Sequence, residues 1–325
     1  LKLKYSRVAF FTFVYLITFL WSNAQSFSGT IFSERNIIAK NDQVNIDSIQ
    51  NSRLGSYSQY KITDGYYKST YLDQDTIPTY SYTFFKEDFK MYDDQSNRDF
   101  ITYRDARESI SSPKLKIYRD SVKQILGYNC YKIVKYYDKF TVTSYVAPSL
   151  SVSFKSFKGH KLSGWYTTLK KTQGAMVLQS TTEYEDYIET STATQVIEQQ
   201  LSKRDFTLPD DKPIAHKFEQ VSESPELLPI TEAQKWLYLK LLEKSKAQLK
   251  SGESYKSVVS IMIDNSGDVV DMNKIELGKP ALDDLAVEIM KKCKFKFKPA
   301  VKDGAPVNYF SYFPITFSSS NFSNN

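Results

Sequence analysis

Two hydrophobic periods divide this chain, and the change from one to the other near residue 230 constrains its fold more than any other feature. Between Phe27 and Phe206 the side chains alternate: Tyr80, Tyr82 and Phe84 share one face of TYSYTFF, and Tyr131, Ile133 and Lys135 alternate with Lys132, Val134 and Tyr136. A period of two is that of β-strands. Turn signals at Asp64-Gly65, Ser112-Pro113, Gly127, Gly159 and Gly174 predict one large antiparallel sheet, with a short helix near Arg104 to Ser109. The composition agrees, because 24 Tyr and 21 Phe stand against only 11 Gly and 11 Pro, and flat rings pack well on pleated surfaces.

From 209 to 230 the chain reads LPDDKPIAHKFEQVSESPELLPI from Leu208 on, with Pro209, Pro213, Pro225 and Pro229 among charged residues. Prolines stiffen a segment and remove ladder donors, so this stretch is read as a linker. A helical pattern then opens at Thr231, a candidate N-cap, with Trp236, Leu237, Leu239, Leu241 and Leu242 among Lys and Glu. SVVSIMID and VVDMNKIEL pair as a hairpin about Asn265-Ser266-Gly267, Pro280 fits the first turn of PALDDLAVEIMKKC, and NYFSYFPITF is a final strand. The expected class is α+β: an N-terminal antiparallel half-barrel-like sheet, then a small domain of hairpin, helix and final strand. The expected domains are 25–208 and 231–318, joined by 209–230, with a disordered tail at 319–325.

Residues 1–24 read as an export signal. Lys2, Lys4 and Arg7 precede the apolar run Val8 to Trp21, and Ser22-Asn23-Ala24 supplies small residues before a cut at Gln25. Fourteen apolar residues fall short of the roughly 18–20 that cross a bilayer. The expected location is therefore the periplasm or cell envelope. Without those three cations the formal charge of +6 falls to about +3, too little to point to nucleic acid. Export permits a disulfide, but Cys130 and Cys293 lie in different expected domains and read as two buried thiols.

Chemistry-bearing constellations are scarce. His160, in a Gly-flanked turn, and His216, in the proline-rich segment, read as surface histidines, far in sequence from either Cys. No spacing matches a zinc site. Asp264-Asn265-Ser266-Gly267-Asp268 has its glycine two places early for a calcium loop and Ile275 at the twelfth position, so it reads as a turn. Lys291, Lys292, Lys294, Lys296 and Lys298 read as a solvated helix end. No catalytic residue, cofactor or metal is expected.

The stretch from Phe297, Pro299 and Ala300 through Asp303, Gly304, Pro306 and Val307 to Pro314, Ile315 and Phe317 resembles the TonB C-terminal domain family over residues 228 to 318. The Tyr-Pro segment and Gly that usually precede the first strand in that family are replaced here by a helix ending near Leu249 and by Ser251 to Ser257. The resemblance implies a module that binds a partner peptide by strand addition. On that basis the partner is an envelope or outer-membrane protein peptide, or a second copy. The expected contact residues are Asn308, Phe310, Tyr312 and Pro314, since a strand proline marks an edge.

Ile125, Gly127, Tyr128, Cys130 and Lys132 resemble the core of the GLPGLI family of envelope proteins, which is similar to LolA-like half-barrels, although the GLPGLI hexapeptide itself is absent. That weaker resemblance implies a lipid or lipoprotein carrier as the alternative function. A TonB-type energy transducer is a further alternative if the N-terminal segment is retained.

Overall fold

A computed structural model describes residues 26–46, 49, 54–109, 112–275 and 277–319. The export signal read at 1–24 and the tail beyond residue 319 lie outside the described residues. No helix among them is long and apolar enough to cross a membrane. The strands of the first two-thirds are β1 (Gly29–Ala39), β2 (Tyr57–Thr63), β3 (Tyr66–Leu72), β4 (Pro78–Phe85), β5 (Lys90–Gln95), β6 (Ile101–Asp105), β7 (Lys114–Ile125), β8 (Tyr128–Tyr136), β9 (Thr141–Ser151), β10 (Ala175–Glu183) and β11 (Tyr187–Glu198). The class is α+β, dominated by antiparallel strands.

Two compact units emerge among the described residues: 26–77, Phe84–Phe89 and Ala106–Thr207 form unit 1, while Pro78–Thr83, Lys90–Asp105 and 208–319 form unit 2. This division differs from a cut at residue 208, because residues near Phe100 pack and pair with C-terminal elements. Within unit 1 the hydrogen-bonded order is β3-β2-β1-β11-β10-β9-β8-β7. Ile125 pairs with Tyr128 across the two-residue turn Leu126-Gly127, and both turn residues have positive φ, 51° and 84°, the geometry that follows strand twist. It carries the helix α1 (Trp165–Thr172), preceded by two short 3-10 turns and ended by Gln173 in the left-handed region. The helix expected near Arg104 to Ser109 is absent: Arg104 belongs to β6 opposite Met91, and its guanidinium holds Asp93 at 3.0 Å.

Unit 2 places β6, β5 and β4 side by side and continues through β12 (Glu226–Leu227), α2 (Glu232–Leu242), β13 (Ser254–Ile263), β14 (Val269–Ile275), α3 (Pro280–Cys293), β15 (Phe297–Lys298), β16 (Ala300–Lys302), β17 (Ala305–Val307) and β18 (Tyr309–Ser318). Thr231 caps α2, accepting from the Gln234 amide while the Gln234 side chain accepts from the Thr231 amide, a reciprocal box that satisfies two orphan donors. Asp264 closes the β13–β14 turn by accepting from the amides of Ser266 and Asp268, both at 2.9 Å. The three-stranded order is β14-β13-β18.

On one face of that sheet, Val259, Ile261, Ile315 and Phe317 pack with Leu282, Leu285, Ile289 and Met290 of α3. Each large side chain buried there contributes about 1.5–3 kcal/mol. Asp283 is fully buried at the start of α3, where it accepts from the Ser257 hydroxyl at 2.6 Å, the Tyr255 hydroxyl at 3.1 Å and the Leu277 amide at 3.1 Å. Cys130 and Cys293 are free and buried, and burial raises both thiol pKa values.

Residues 209–230 belong to unit 2 and bond to it repeatedly. Ala215 donates to Ile101, Ser222 to Val301, and Leu228 to Lys296, while Glu226 and Leu227 pair with β15. The prolines fall between these donors, so a proline-rich composition coexists with an ordered path.

A candidate binding edge and a buried aromatic cluster

The outer side of β18 gathers the four expected contact residues. The strand pairs antiparallel with β13 from Ser318 opposite Ser254 to Tyr309 opposite Ile263, and it is a sheet edge. The Phe310 amide donates away from β13, to the His216 carbonyl at 2.8 Å, and the Asn308 carbonyl accepts from the His216 amide at 2.8 Å. Since main-chain direction alternates along a strand, Tyr312, Pro314 and Thr316 also face outward. Asn308, Phe310, Tyr312 and Pro314 thus share one edge.

Their side chains differ in role. Asn308 accepts from the Asn265 amide at 3.1 Å. Phe310 is buried with Phe100, Ala215 and Met262, and the Arg98 guanidinium lies 4.6 Å from its ring centroid. Tyr312 is 57% exposed and meets Phe310 edge to face, 5.2 Å between centroids. Pro314 is exposed, and its ring stands where an amide would otherwise donate outward. The Phe310 carbonyl and the Tyr312 amide and carbonyl carry no hydrogen bond among the described residues, which leaves a short unfilled ladder closed by Pro314.

Neither histidine is the surface residue expected from sequence. In unit 1, His160 is 1% exposed and its Nε2 lies 2.6 Å from the Tyr67 hydroxyl. The Tyr67 ring is surrounded by Phe84 at 5.2 Å, Trp165 at 5.4 Å, His160 at 5.7 Å and Tyr60 at 6.0 Å between centroids. In this cluster the Tyr60 hydroxyl and Trp165 Nε1 are buried without a hydrogen-bond partner. Burial, and then the neighbouring Tyr67 and Tyr71, raise the Tyr60 pKa well above its ordinary value. The only sequence signal for this cluster is its aromatic content.

In unit 2, His216 Nδ1 lies 2.9 Å from the Tyr103 hydroxyl, which also accepts from Lys302 Nζ at 2.9 Å. Burial, helped by Lys302 and Lys90 and opposed by Asp303, lowers the His216 pKa from its ordinary 6.5. The lysines at the end of α3 are engaged in part: Lys292 pairs with Glu288, Lys296 with Asp268 and Lys298 with Glu223.

No protein-family model matches the chain, and no curated protein matches it. Among solved structures, an uncharacterized conserved protein from Thermus thermophilus is similar over 60% of this chain and 93% of its own, at 6% identity and a TM-score of 0.37. PNGF-II is similar over 75% of this chain and 45% of its own, at 11% identity and a TM-score of 0.36. A LolA superfamily protein from Nitrosomonas europaea is similar over 57% of this chain and 91% of its own, at 7% identity and a TM-score of 0.27. None of these scores reaches 0.5, so the architecture stands on its own strand pairing.

Proposed function

We propose that the chain is an exported binding protein of the cell envelope rather than an enzyme, and that it takes an extended peptide of an envelope partner onto the outer edge of β18. The observation that supports this reading is the run of unfilled main-chain groups at Phe310 and Tyr312 on an edge strand. Such groups recruit a strand through main-chain hydrogen bonds, while neighbouring side chains select among partners. The exposed Tyr312 ring stands beside that line.

The test is a Tyr312→Pro variant. It removes the outward donor, while the pairs of β13 with Ser311 and Phe313 remain. A Tyr312→Ala variant keeps the donor and removes only the ring. In pull-downs from envelope extract, the partner held by the parent and by Tyr312→Ala is expected to be lost from Tyr312→Pro at unchanged circular dichroism. If Tyr312→Pro keeps every partner, the edge is not the binding surface.

A second reading, an amphipathic lipid held by unit 1, is supported by the buried Tyr60 hydroxyl and Trp165 Nε1 beside Tyr67. Buried polar groups without partners are rare in native structures, and a carbonyl oxygen of a ligand would satisfy either of these. Mass spectrometry of organic extracts of the purified protein tests it: a stoichiometric lipid is expected, and its absence from protein isolated without detergent removes the reading.

A further inference from the structure

Residues 213–217 run between two strands. On one side the Ile101 amide donates to the Pro213 carbonyl at 2.9 Å and the Ala215 amide to the Ile101 carbonyl at 2.8 Å; on the other, His216 exchanges its two bonds with Asn308 and Phe310 of the β18 side. His216 lies parallel to β18, opposite Tyr309. After Lys217 the chain turns into a 3-10 turn, Phe218–Gln220, and leaves the edge. This segment therefore occupies the first part of an edge that Pro314 interrupts further along.

The side chain of His216 ties the segment down. Lys302 Nζ can only donate, so the Tyr103 oxygen accepts from it, which leaves the phenol's own hydrogen available to His216 Nδ1. This arrangement needs a neutral imidazole with its hydrogen on Nε2. A proton on Nδ1 would remove the acceptor for the Tyr103 hydrogen and add a cation beside Lys302 and Lys90, whose Nζ lies 4.6 Å from the Tyr103 centroid. Asp303 is the one acid acting in the opposite direction.

We propose that residues 213–217 are a built-in strap over the peptide-binding edge of β18, and that protonation of His216 lifts the strap, freeing the Asn308 carbonyl and Phe310 amide for an extended peptide. The proposal rests on the reading of β18 as a docking edge. With the strap in place the usable run is the Phe310 carbonyl and the two main-chain groups of Tyr312; with it lifted, two further groups join the run. The sign follows from the lowered pKa of His216. Its contribution to closure is complete above the ordinary value of 6.5 and is lost as pH falls from there through the lower value of the closed state.

Amide hydrogen exchange of the full chain, corrected for intrinsic rates, tests the strap directly. Protection of the Phe310 amide is expected to fall about tenfold per pH unit in that window, the response of a single proton. The Ala215 amide, which donates to Ile101, lies on the side of the strap that the His216–Tyr103 bond ties down, and it is expected to lose protection in the same window. His216→Asn keeps an acceptor near the position of Nδ1 and cannot take up the proton, so its Phe310 protection is expected to be flat. A flat profile in the parent, or an unchanged slope in His216→Asn, overturns the strap.

The docking half is probed with a labelled synthetic peptide of the sequence Lys212–Phe218 carrying Asn in place of His216. It is expected to bind the full chain at about pH 5 and not at about pH 7.5, in line with the one-proton dependence of closure. Equal binding at both values overturns the strap while leaving the edge reading in place. An acid-opened strap with no peptide binding at either value overturns the edge reading, and with it the exposure of a binding site.

Discussion

The Tyr67 hydroxyl lies 2.6 Å from Nε2 of His160, in contact with rings from three other parts of unit 1. Tyr67→Phe keeps the ring and removes the bond. It is expected to cost about 1–3 kcal/mol, the penalty for taking one partner from a buried polar pair, measured by urea denaturation. A variant as stable as the parent would show that the bond adds nothing to the packing around it.

Tyr60→Phe has the opposite sign. Its hydroxyl is buried without a partner, so deleting it removes a desolvation penalty of about 1–3 kcal/mol and is expected to raise stability by up to that amount in the ligand-free protein. If unit 1 holds a lipid through this hydroxyl, the same variant retains less lipid after purification. Destabilisation of the ligand-free protein would mean that the hydroxyl is satisfied after all.

Asp283 joins α3 to β13 through Ser257 and Tyr255. Asp283→Ala leaves two hydroxyls and the Leu277 amide short of an acceptor, and an expected loss of about 3 kcal/mol follows from leaving buried donors unsatisfied. Asp283→Asn, which retains one acceptor oxygen, is expected to lose less. Equal melting temperatures for the two variants would count against this network.

The thiols of Cys130 and Cys293 are buried, and burial raises their pKa. Because the thiolate is the reactive form, both are expected to label slowly with a thiol reagent at neutral pH in the native protein and rapidly in denaturant. Fast native labelling of either would place it at the surface.

Much of unit 2 was legible in the sequence. Thr231 at the start of α2, Pro280 in the first turn of α3, the Asn265-Ser266-Gly267 turn and the final strand all depend on local signals: a cap, a fixed φ, a turn, an alternation. The edge position of β18 was legible from Pro314 alone, because a proline cannot donate to a ladder. What the sequence hid is non-local. His160 finds Tyr67 across 93 residues, and nothing around Gly159-His160 announces a buried ring. Residues 209–230 looked detached because prolines reduce donors, yet Ala215, His216 and Leu228 supply enough of them. Arg104 to Ser109 suggested a helix, but pairing of β6 with β5 outweighs local helix preference. The eight-residue α1 is too short to show a stripe, and its ends are set by Gly164 and Gln173 in left-handed geometry.

Pro314 has one more effect, on how copies of this chain behave when crowded. An exposed strand edge normally invites the next edge, and that one the next, until a fibre grows. Here a ring without an N–H projects from the middle of the edge, so a strand arriving from another molecule is pushed away before the ladder passes Tyr312. Addition of β18 to β18 is therefore limited to the stretch before Pro314.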